Sequence, residues 1–237
     1  MSAIWHDLEC GGYVEDMSLW RALAAEHGDP VLEIGAGTGR VALNLARAGY
    51  EVTALDRDPV LSAELARRAA GLTVETVVAD ARDFDLPRRF ALILVPMQTI
   101  QLLGGPRGRR RFLRCAERHM KDGATMAIAI ADQLELYELI DGLPGPLPDI
   151  RELDGVVYSS QPTAVRKDGD RFVLERRRET IGLSGERTIE QDAIHLDRLT
   201  PEELEREASE VGLTPAGRRA VPETPDYVGS AVVMLRG

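Results

Sequence analysis

The stretch VLEIGAGTGRVALNLARAGYEVTALD, residues 31–56, constrains the fold of this chain more than any other segment. A short apolar run, Val31–Ile34, leads into three glycines, and apolar residues then recur at helical spacing before a second apolar run ends at Asp56. A glycine turn between a strand and a helix lets the backbone approach a ligand closely and points helix N–H groups at it. The stretch therefore predicts a βαβ unit that holds a ligand at its first turn.

Later segments continue this alternation of strand and helix. The apolar patterns predict a helix at Val60–Ala70, a third strand that stops before Asp80, a fourth strand at Phe90–Val95 and a fifth strand from Ala124. The helix between the last two strands is expected to end at Gly123, because glycine is the usual helix stop. Strands that alternate with helices are typical of a parallel sheet covered by helices on both faces.

The pattern changes after the fifth strand. A Gly/Pro stretch at 141–149 predicts a loop or hinge, and strand-like runs between Gly155 and Leu199, separated by turn signals, predict an inserted antiparallel β meander. The α/β pattern resumes at Thr200, where a capping box with Glu203 predicts a helix start. These patterns divide the chain into an N-terminal lid segment (1–28), an α/β core (29–149), the insertion (150–198) and a C-terminal part of the core (199–237).

Charge and composition argue against several classes of partner. The chain has a formal net charge of −10 and a pI near 5.0, so nucleic acids and anionic membranes would repel its average surface. No run approaches the ~18 apolar residues of a membrane span, and the first residues lack the pattern of a signal peptide, so we expect a cytoplasmic protein. The two cysteines, Cys10 and Cys115, do not have the spacing of a metal site, and no metal is expected.

The spacing of the glycines limits the class of ligand that the turn is expected to bind. Gly35, Gly37 and Gly39 follow a GxGxG pattern, whereas a dinucleotide site needs GxGxxG and would place its third glycine at Arg40. Glu33 precedes the turn inside an apolar run, where a carboxylate without a partner is costly. An acid at this place suits a cationic amino group better than a diphosphate.

Two further acids follow the next strands. Asp56 ends the second strand, where an acid can accept hydrogen bonds from ribose hydroxyls, and Asp80 ends the third. Ligands of open α/β sheets bind outside these strand ends, so the row of acids would face a molecule with an amine, a ribose and a base. S-adenosylmethionine has these three parts.

The chain resembles the class I S-adenosylmethionine-dependent methyltransferases over roughly residues 29–132, in the ordered motifs EIGAGTG, VTALD, VVADARDFDLP, FALILVPMQTIQLL and HMKDGATMAIAI. The resemblance implies a Rossmann-like, seven-stranded, mostly parallel sheet with helices on both faces and the inserted meander. It also implies that glycines of the turn border the methionine portion, Glu33 engages the amine, Asp56 the ribose, and Asp80 with Ala81 the adenine. The cofactor-binding residues expected on this basis are Tyr13, Glu33, Gly35, Ala36, Gly37, Gly39, Asp56, Arg57, Asp80, Ala81, Pro96 and Met97.

The acceptor is less constrained. The segment Val95–Thr99 resembles the one that flanks the transferable methyl, but Pro96-Met97-Gln98 differs from the NPPY motif of enzymes that act on nucleic acids. The aromatic N-terminus and the insertion resemble the lid and cover of small-molecule and sugar-amine N-methyltransferases, although Tyr13 also fits a helix face packed on the core. We therefore expect methyl transfer to N or O of a small-molecule acceptor.

Several alternatives stay open. Methyl transfer from a sulfonium needs a base only when the acceptor arrives protonated, and His195 is the candidate for that role. Tyr13 is the second candidate for a catalytic residue. The chain could instead methylate protein or RNA, or bind S-adenosylmethionine without catalysis. The insertion could cover the acceptor or form the interface of a homodimer.

Overall fold

A computed structural model of the chain describes residues 3–140, 145–224 and 227–237. Its helices are α1 (Ala3–Cys10), α2 (Met17–His27), α3 (Ala42–Arg47), α4 (Pro59–Arg68), α5 (Gly105–Arg118) and α6 (Pro201–Ser209), with a 3₁₀ turn at Thr99–Leu102. Its strands are β1 (Val31–Ile34), β2 (Val52–Asp56), β3 (Val74–Val78), β4 (Phe90–Val95), β5 (Met120–Ile130), β6 (Tyr137–Glu138), β7 (Asp149–Leu153), β8 (Val156–Asp168), β9 (Arg171–Ile181), β10 (Arg187–Asp197), β11 (Thr214–Val221) and β12 (Ser230–Arg236).

The central sheet has the predicted architecture. Its seven strands run in the order β11-β12-β5-β4-β1-β2-β3, with β1 to β5 parallel and β12 antiparallel to both neighbours. Buried side chains cover both faces: Phe112 of α5 and Leu204 of α6 on one, Trp20 of α2 and Leu45 of α3 on the other. The prediction of a mostly parallel sheet with helices on both faces is confirmed. Strands of such a sheet are buried on both sides, which is why their sequences are largely apolar.

The insertion forms a second sheet. Its strands follow the order β10-β9-β8-β6, and β7 also pairs with β8, all antiparallel. The meander β8–β9–β10 was predicted, whereas β6 and β7 were not, because one has two residues and the other lies next to the Gly/Pro stretch 141–149. Residues 141–144 of that predicted loop lie outside the described residues.

The expected helix stop at Gly123 is wrong. Helix α5 ends at Arg118 and strand β5 has already begun at Met120. Gly123 has φ +75° and lies where the β4–β5 register shifts, between the partners of Phe90 and Leu92. The glycine therefore serves an irregularity inside the strand. The capping box at Thr200, by contrast, is confirmed: the Glu203 N–H donates to its hydroxyl over 3.2 Å, and its own N–H donates to the Glu203 carboxylate over 3.0 Å.

Buried polar contacts fasten both ends of the insertion to the core. The Gln101 side chain accepts from the Ala131 N–H (2.9 Å) and donates to the Ala131 carbonyl (3.1 Å) and the Asp197 carbonyl (3.0 Å). Asp197 also accepts from Arg109 of α5 over 3.1 Å. Since Gln101 follows β4 closely, the insertion is tied to the carboxyl edge of the sheet.

None of the helices in the described part of the chain combines the length and the apolar composition that a membrane crossing needs.

Candidate functional site

The glycine turn lies between β1 and α3 and is fixed to the neighbouring strand. All three glycines have positive φ, +71° at Gly35, +55° at Gly37 and +95° at Gly39, which side chains rarely adopt. The Gly35 N–H donates to the Leu55 carbonyl over 2.8 Å, and the Gly37 N–H donates to Oδ2 of Asp56 over 2.8 Å. The turn thus lies at the carboxyl edge of the sheet, with Gly35 exposed and Gly37 and Gly39 buried.

Glu33 lies at the base of this turn and is 2% exposed. Its carboxylate accepts from the Ala42 N–H at the start of α3, while Oε2 has no hydrogen-bond partner among the described residues. Burial raises the pKa of Glu33 to about 8; Arg40 and the Ala42 N–H oppose this effect, and Asp16 and Asp56 add to it. A buried acid of this kind is well suited to receive a cationic donor.

Glu33→Gln is expected to stabilise the ligand-free protein as pH rises. The folded pKa near 8 exceeds the ordinary value of 4.5, so the folded state binds the extra proton and loses stability between these pH values. Glutamine does not titrate, so the free energy of unfolding of the variant should exceed that of the parent increasingly from pH 5 to pH 8, by up to about 1.4 kcal/mol per pH unit. Urea unfolding at both pH values measures the difference.

Glu51→Gln provides the matched control for this experiment. Glu51 is ion-paired with Arg88, which lowers the pKa of that carboxyl, so its amide variant should show no such gain at high pH. If Glu33→Gln behaved like Glu51→Gln, Glu33 would be ionised in the ligand-free protein.

Asp56 ends β2 beside the turn. Its Oδ2 accepts from Gly37 as described, and its Oδ1 accepts from the Asp58 N–H over 2.9 Å. Asp58 in turn caps α4 by accepting from the Val60 N–H over 2.9 Å. Each Asp56 oxygen keeps a lone pair for a further donor, so the predicted ribose role is compatible with these bonds.

Asp80 is placed as predicted, after β3, but its carboxylate is already engaged. Arg82 donates from Nε (2.9 Å), Nη2 (2.6 Å) and its backbone N–H (2.8 Å) to Asp80. These bonds with Arg82 lower the pKa of Asp80 to about 2. Ala81 beside it is 9% exposed, and Arg57 is exposed. The predicted adenine contact therefore has to be shared with Arg82.

The segment after β4 lies against the glycine turn. A Cβ built on Gly35 would lie 2.5 Å from Cγ2 of Thr99, so this side chain rests directly on the glycine. Met97, next to Pro96, has φ +55° and packs against the buried cluster that contains Tyr13. A left-handed methionine is strained, and such strain is common at functional sites.

Tyr13 is part of the core and not of an open lid. The side chain is 8% exposed, its ring centroid lies 5.0 Å from that of Tyr227, and the Arg40 guanidinium stacks 5.2 Å from the ring. Arg40 also forms a buried ion pair with Asp16, with Nη2 2.7 Å from Oδ2. Tyr13 contacts Arg40, which directly follows the glycine turn. The role of Tyr13 as a cofactor contact stays a prediction.

His195 lies on the insertion. It is exposed on β10, and its neighbour Leu196, which points to the opposite face of the sheet, is buried. Its role as a base stays a prediction.

The prediction from sequence missed His6. This residue lies on α1, and a Cβ built on Gly37 would lie 2.2 Å from its Nε2. The imidazole therefore rests on the glycine turn. The hydrophobic pattern could not indicate this contact, because α1 contains no buried residue.

The chain was compared with known proteins. Residues 31–123 match the family model described as a methyltransferase domain. Among curated proteins, 77 residues are 42% identical to a ribosomal RNA small subunit methyltransferase A from Deinococcus radiodurans, covering 31% of this chain and 26% of that protein. Another 116-residue match is 37% identical to a protein-L-isoaspartate O-methyltransferase from Methylorubrum extorquens, covering 41% and 51%. The chain thus spans about a quarter to a half of these relatives.

Solved structures resemble nearly the whole chain. The sugar N-methyltransferase KedS8 from Streptoalloteichus sp ATCC 53650 has a TM-score of 0.74 at 19% identity, covering 99% of this chain and 92% of that one. CalS10, an amino pentose methyltransferase from Micromonospora echinaspora solved with S-adenosylmethionine, has a TM-score of 0.72 at 20% identity, covering 99% and 95%. At these identities the likeness concerns the fold. Residues 31–123 therefore match a methyltransferase domain, and the chain as a whole has the fold of these solved methyltransferase structures.

Proposed function

We propose that this protein is an S-adenosylmethionine-dependent methyltransferase that transfers a methyl group to N or O of a small-molecule acceptor. The observation that carries the proposal is the juxtaposition of Glu33 and Asp56 at one glycine turn. Glu33 is a buried acid with an oxygen that lacks a partner among the described residues, and Asp56 ends the adjacent strand with free lone pairs. The two acids suit the amine and the ribose of one ligand.

The site fits this cofactor on three grounds. The glycines at 35 and 37 let the side chains of Thr99 and His6 lie directly on the turn, so that both side chains border the site. The buried Glu33, once it has released its proton, offers a negative charge for an ammonium group, and the same charge would repel a diphosphate. Asp56 and Asp80 accept hydrogen bonds and do not donate them, which suits ribose hydroxyls and an exocyclic amine. When bound, S-adenosylmethionine supplies an electrophilic methyl on a sulfonium centre.

The contribution of the protein is alignment and exclusion of water. Glu33 would hold the amine of the amino-acid portion and Asp56 would hold the ribose. The segment Pro96–Thr99 would border the reacting methyl. An in-line displacement gains most from holding the nucleophile at a near-attack distance, so positioned neighbours suffice for an acceptor that arrives uncharged.

A small acceptor is supported by the insertion and by the charge of the site. The second sheet is attached at the carboxyl edge through Gln101 and Asp197, where it can wall off a pocket. Arg40, Arg68 and Arg82 are each paired with a carboxylate, whereas Arg57, which follows Asp56, is exposed. An RNA substrate would need basic side chains available for phosphates. The similar folds of a sugar N-methyltransferase and an amino pentose methyltransferase also favour a small acceptor.

The acceptor class is tested with labelled S-adenosylmethionine and a fractionated cell extract. The proposal predicts label in a dialysable compound that is chromatographically distinct from S-adenosylmethionine and its breakdown products, and none in protein or RNA. Label in RNA or protein would support the macromolecular alternative. Binding of the cofactor without transfer to any fraction would favour a non-catalytic binding module.

Replacing residues 150–196 with a Gly/Ser linker should abolish transfer to a small acceptor. Asp197 is retained in this variant because it is ion-paired with the buried Arg109. Affinity for S-adenosylhomocysteine should change by less than about tenfold, since the predicted acids lie outside the insertion. A folded variant that keeps the parental transfer rate would show that the insertion does not cover the acceptor. A fall in the sedimenting mass beyond that of the deleted residues would instead indicate a homodimer interface.

A further inference from the structure

We infer that His6 contacts the bound cofactor, accepting a hydrogen bond at Nε2 from a ribose hydroxyl, and that Thr38 and Asp7 position it. This inference rests on the proposed function. It concerns a residue of α1 and is independent of the acceptor.

The first step is the position of the ring. A Cβ on Gly37 would lie 2.2 Å from Nε2 and 2.3 Å from Cε1 of His6, so the edge of the ring that carries Nε2 rests on the glycine turn. Gly37 is also the residue whose N–H donates to Asp56. The imidazole edge and the Asp56 carboxylate therefore border the same small region.

The second step is the tautomer. Nδ1 of His6 lies 3.2 Å from Oγ1 of Thr38, and that hydroxyl donates its single hydrogen to Oδ1 of Asp7 over 2.6 Å. Because the hydroxyl hydrogen is used, Thr38 can only accept from His6, which places the proton on Nδ1. Nε2 then carries a lone pair and acts as an acceptor. Burial also lowers the pKa of His6, with Asp7, Asp56 and Glu9 opposing and Arg68 adding to the effect, so the ring is neutral near pH 7.

The third step is the support of α1. On the core side, Asp7 is ion-paired with Arg68 of α4, whose Nη1 lies 3.0 Å from Oδ1. On the insertion side, Glu9 accepts from Nε of Arg178 and from the Ser160 hydroxyl, both over 2.7 Å. Two sets of ion pairs thus hold a helix that has no buried residue of its own. This arrangement fixes the imidazole over the turn.

The ligand group follows from the chemistry of the two neighbours. A neutral Nε2 and a carboxylate are both acceptors, so the ligand group between them has to donate twice. A vicinal diol does so, with one hydroxyl for each acceptor. The ammonium group is assigned to Glu33, which is the more strongly desolvated acid.

The experiment is calorimetric titration of S-adenosylhomocysteine and its 2′-deoxy and 3′-deoxy analogues into the parent and His6→Ala. His6→Ala should bind S-adenosylhomocysteine roughly 3- to 10-fold more weakly, as for loss of one neutral hydrogen bond. The parent should bind one of the two deoxy analogues more weakly than S-adenosylhomocysteine by a similar factor. His6→Ala should bind that analogue and S-adenosylhomocysteine with equal affinity. This thermodynamic cycle separates a direct contact from general loosening. Thr38→Val should share part of the loss and Thr38→Ser should restore it, because only the hydroxyl fixes the tautomer.

His27→Ala is the matched control, because His27 ends α2 near the opposite edge of the sheet and should leave binding unchanged. Unchanged or tighter binding by folded His6→Ala, or discrimination between the analogues that survives the substitution, would overturn the inference while leaving the proposed function intact. A parent protein that fails to bind S-adenosylhomocysteine would overturn the proposed function and this inference together.

Discussion

Gly37→Val is expected to reduce affinity for S-adenosylhomocysteine by roughly 100-fold or more, the equivalent of about 3 kcal/mol. Gly37 has φ +55°, which a β-branched residue resists, and its Cβ would overlap the His6 ring. The side chain would also fill the space over the turn that the cofactor needs. The fold should largely persist, because α1 contains no buried residue and can be displaced without opening the core.

Gly49→Val is a matched control for the backbone strain. Gly49 has φ +99°, and a Cβ there would meet no atom within 4 Å. The control should therefore lose stability but bind the ligand normally once folded. Thermal unfolding and calorimetry on both variants separate the two effects. If Gly37→Val unfolded outright while Gly49→Val did not, Gly37 would be a mainly structural glycine.

Asp56→Ala is expected to weaken binding of both S-adenosylmethionine and S-adenosylhomocysteine by roughly 10- to 150-fold. Hydrogen bonds to a charged group contribute about 1.5–3 kcal/mol, which corresponds to that range. Part of the loss would come from the turn, because Asp56 also accepts from the N–H groups of Gly37 and Asp58.

Asp56→Asn distinguishes these contributions. Asparagine keeps one acceptor oxygen for the turn but loses the charge and the second acceptor, so its affinity should fall between those of the parent and the alanine variant. Calorimetry that showed unchanged affinity in a folded Asp56→Ala protein would remove the ribose assignment.

The sheet was predictable from the sequence because its strands are buried on both faces. Phe90–Val95 is a continuous apolar run and Val31–Ile34 is apolar except for Glu33, and both strands have the predicted bounds. The glycine turn was also predictable, since positive φ values at three alternate positions strongly favour glycine. Local chemistry also sufficed at Thr200, where the capping box depends on two residues three positions apart.

Other parts of the site depend on contacts between distant residues, which no local pattern indicates. Helix α1 is held by pairs such as Glu9 with Arg178, which are 169 positions apart. His6 therefore had no signal beyond its type and its position near the N-terminus. The pairing of Asp80 with Arg82 was readable from the spacing in ADAR, but the strand-end position alone favoured a ligand role. Gly123 shows that a glycine is an ambiguous signal, because a positive φ occurs at an irregularity within a strand as well as at the end of a helix.

The pH dependence of cofactor affinity tests the central claim most directly, since the claim rests on the buried Glu33. The account predicts that S-adenosylhomocysteine binds with one molecule per chain, that affinity rises between pH 6 and pH 8, and that binding releases a proton from a carboxyl whose pKa is about 8 in the free protein. Calorimetry in buffers of different ionisation enthalpy measures both quantities, with Glu33→Gln expected to bind roughly tenfold more weakly and without the proton release. No binding by the parent protein, or parent and Glu33→Gln proteins that bind with equal affinity and equal proton release, would contradict the account.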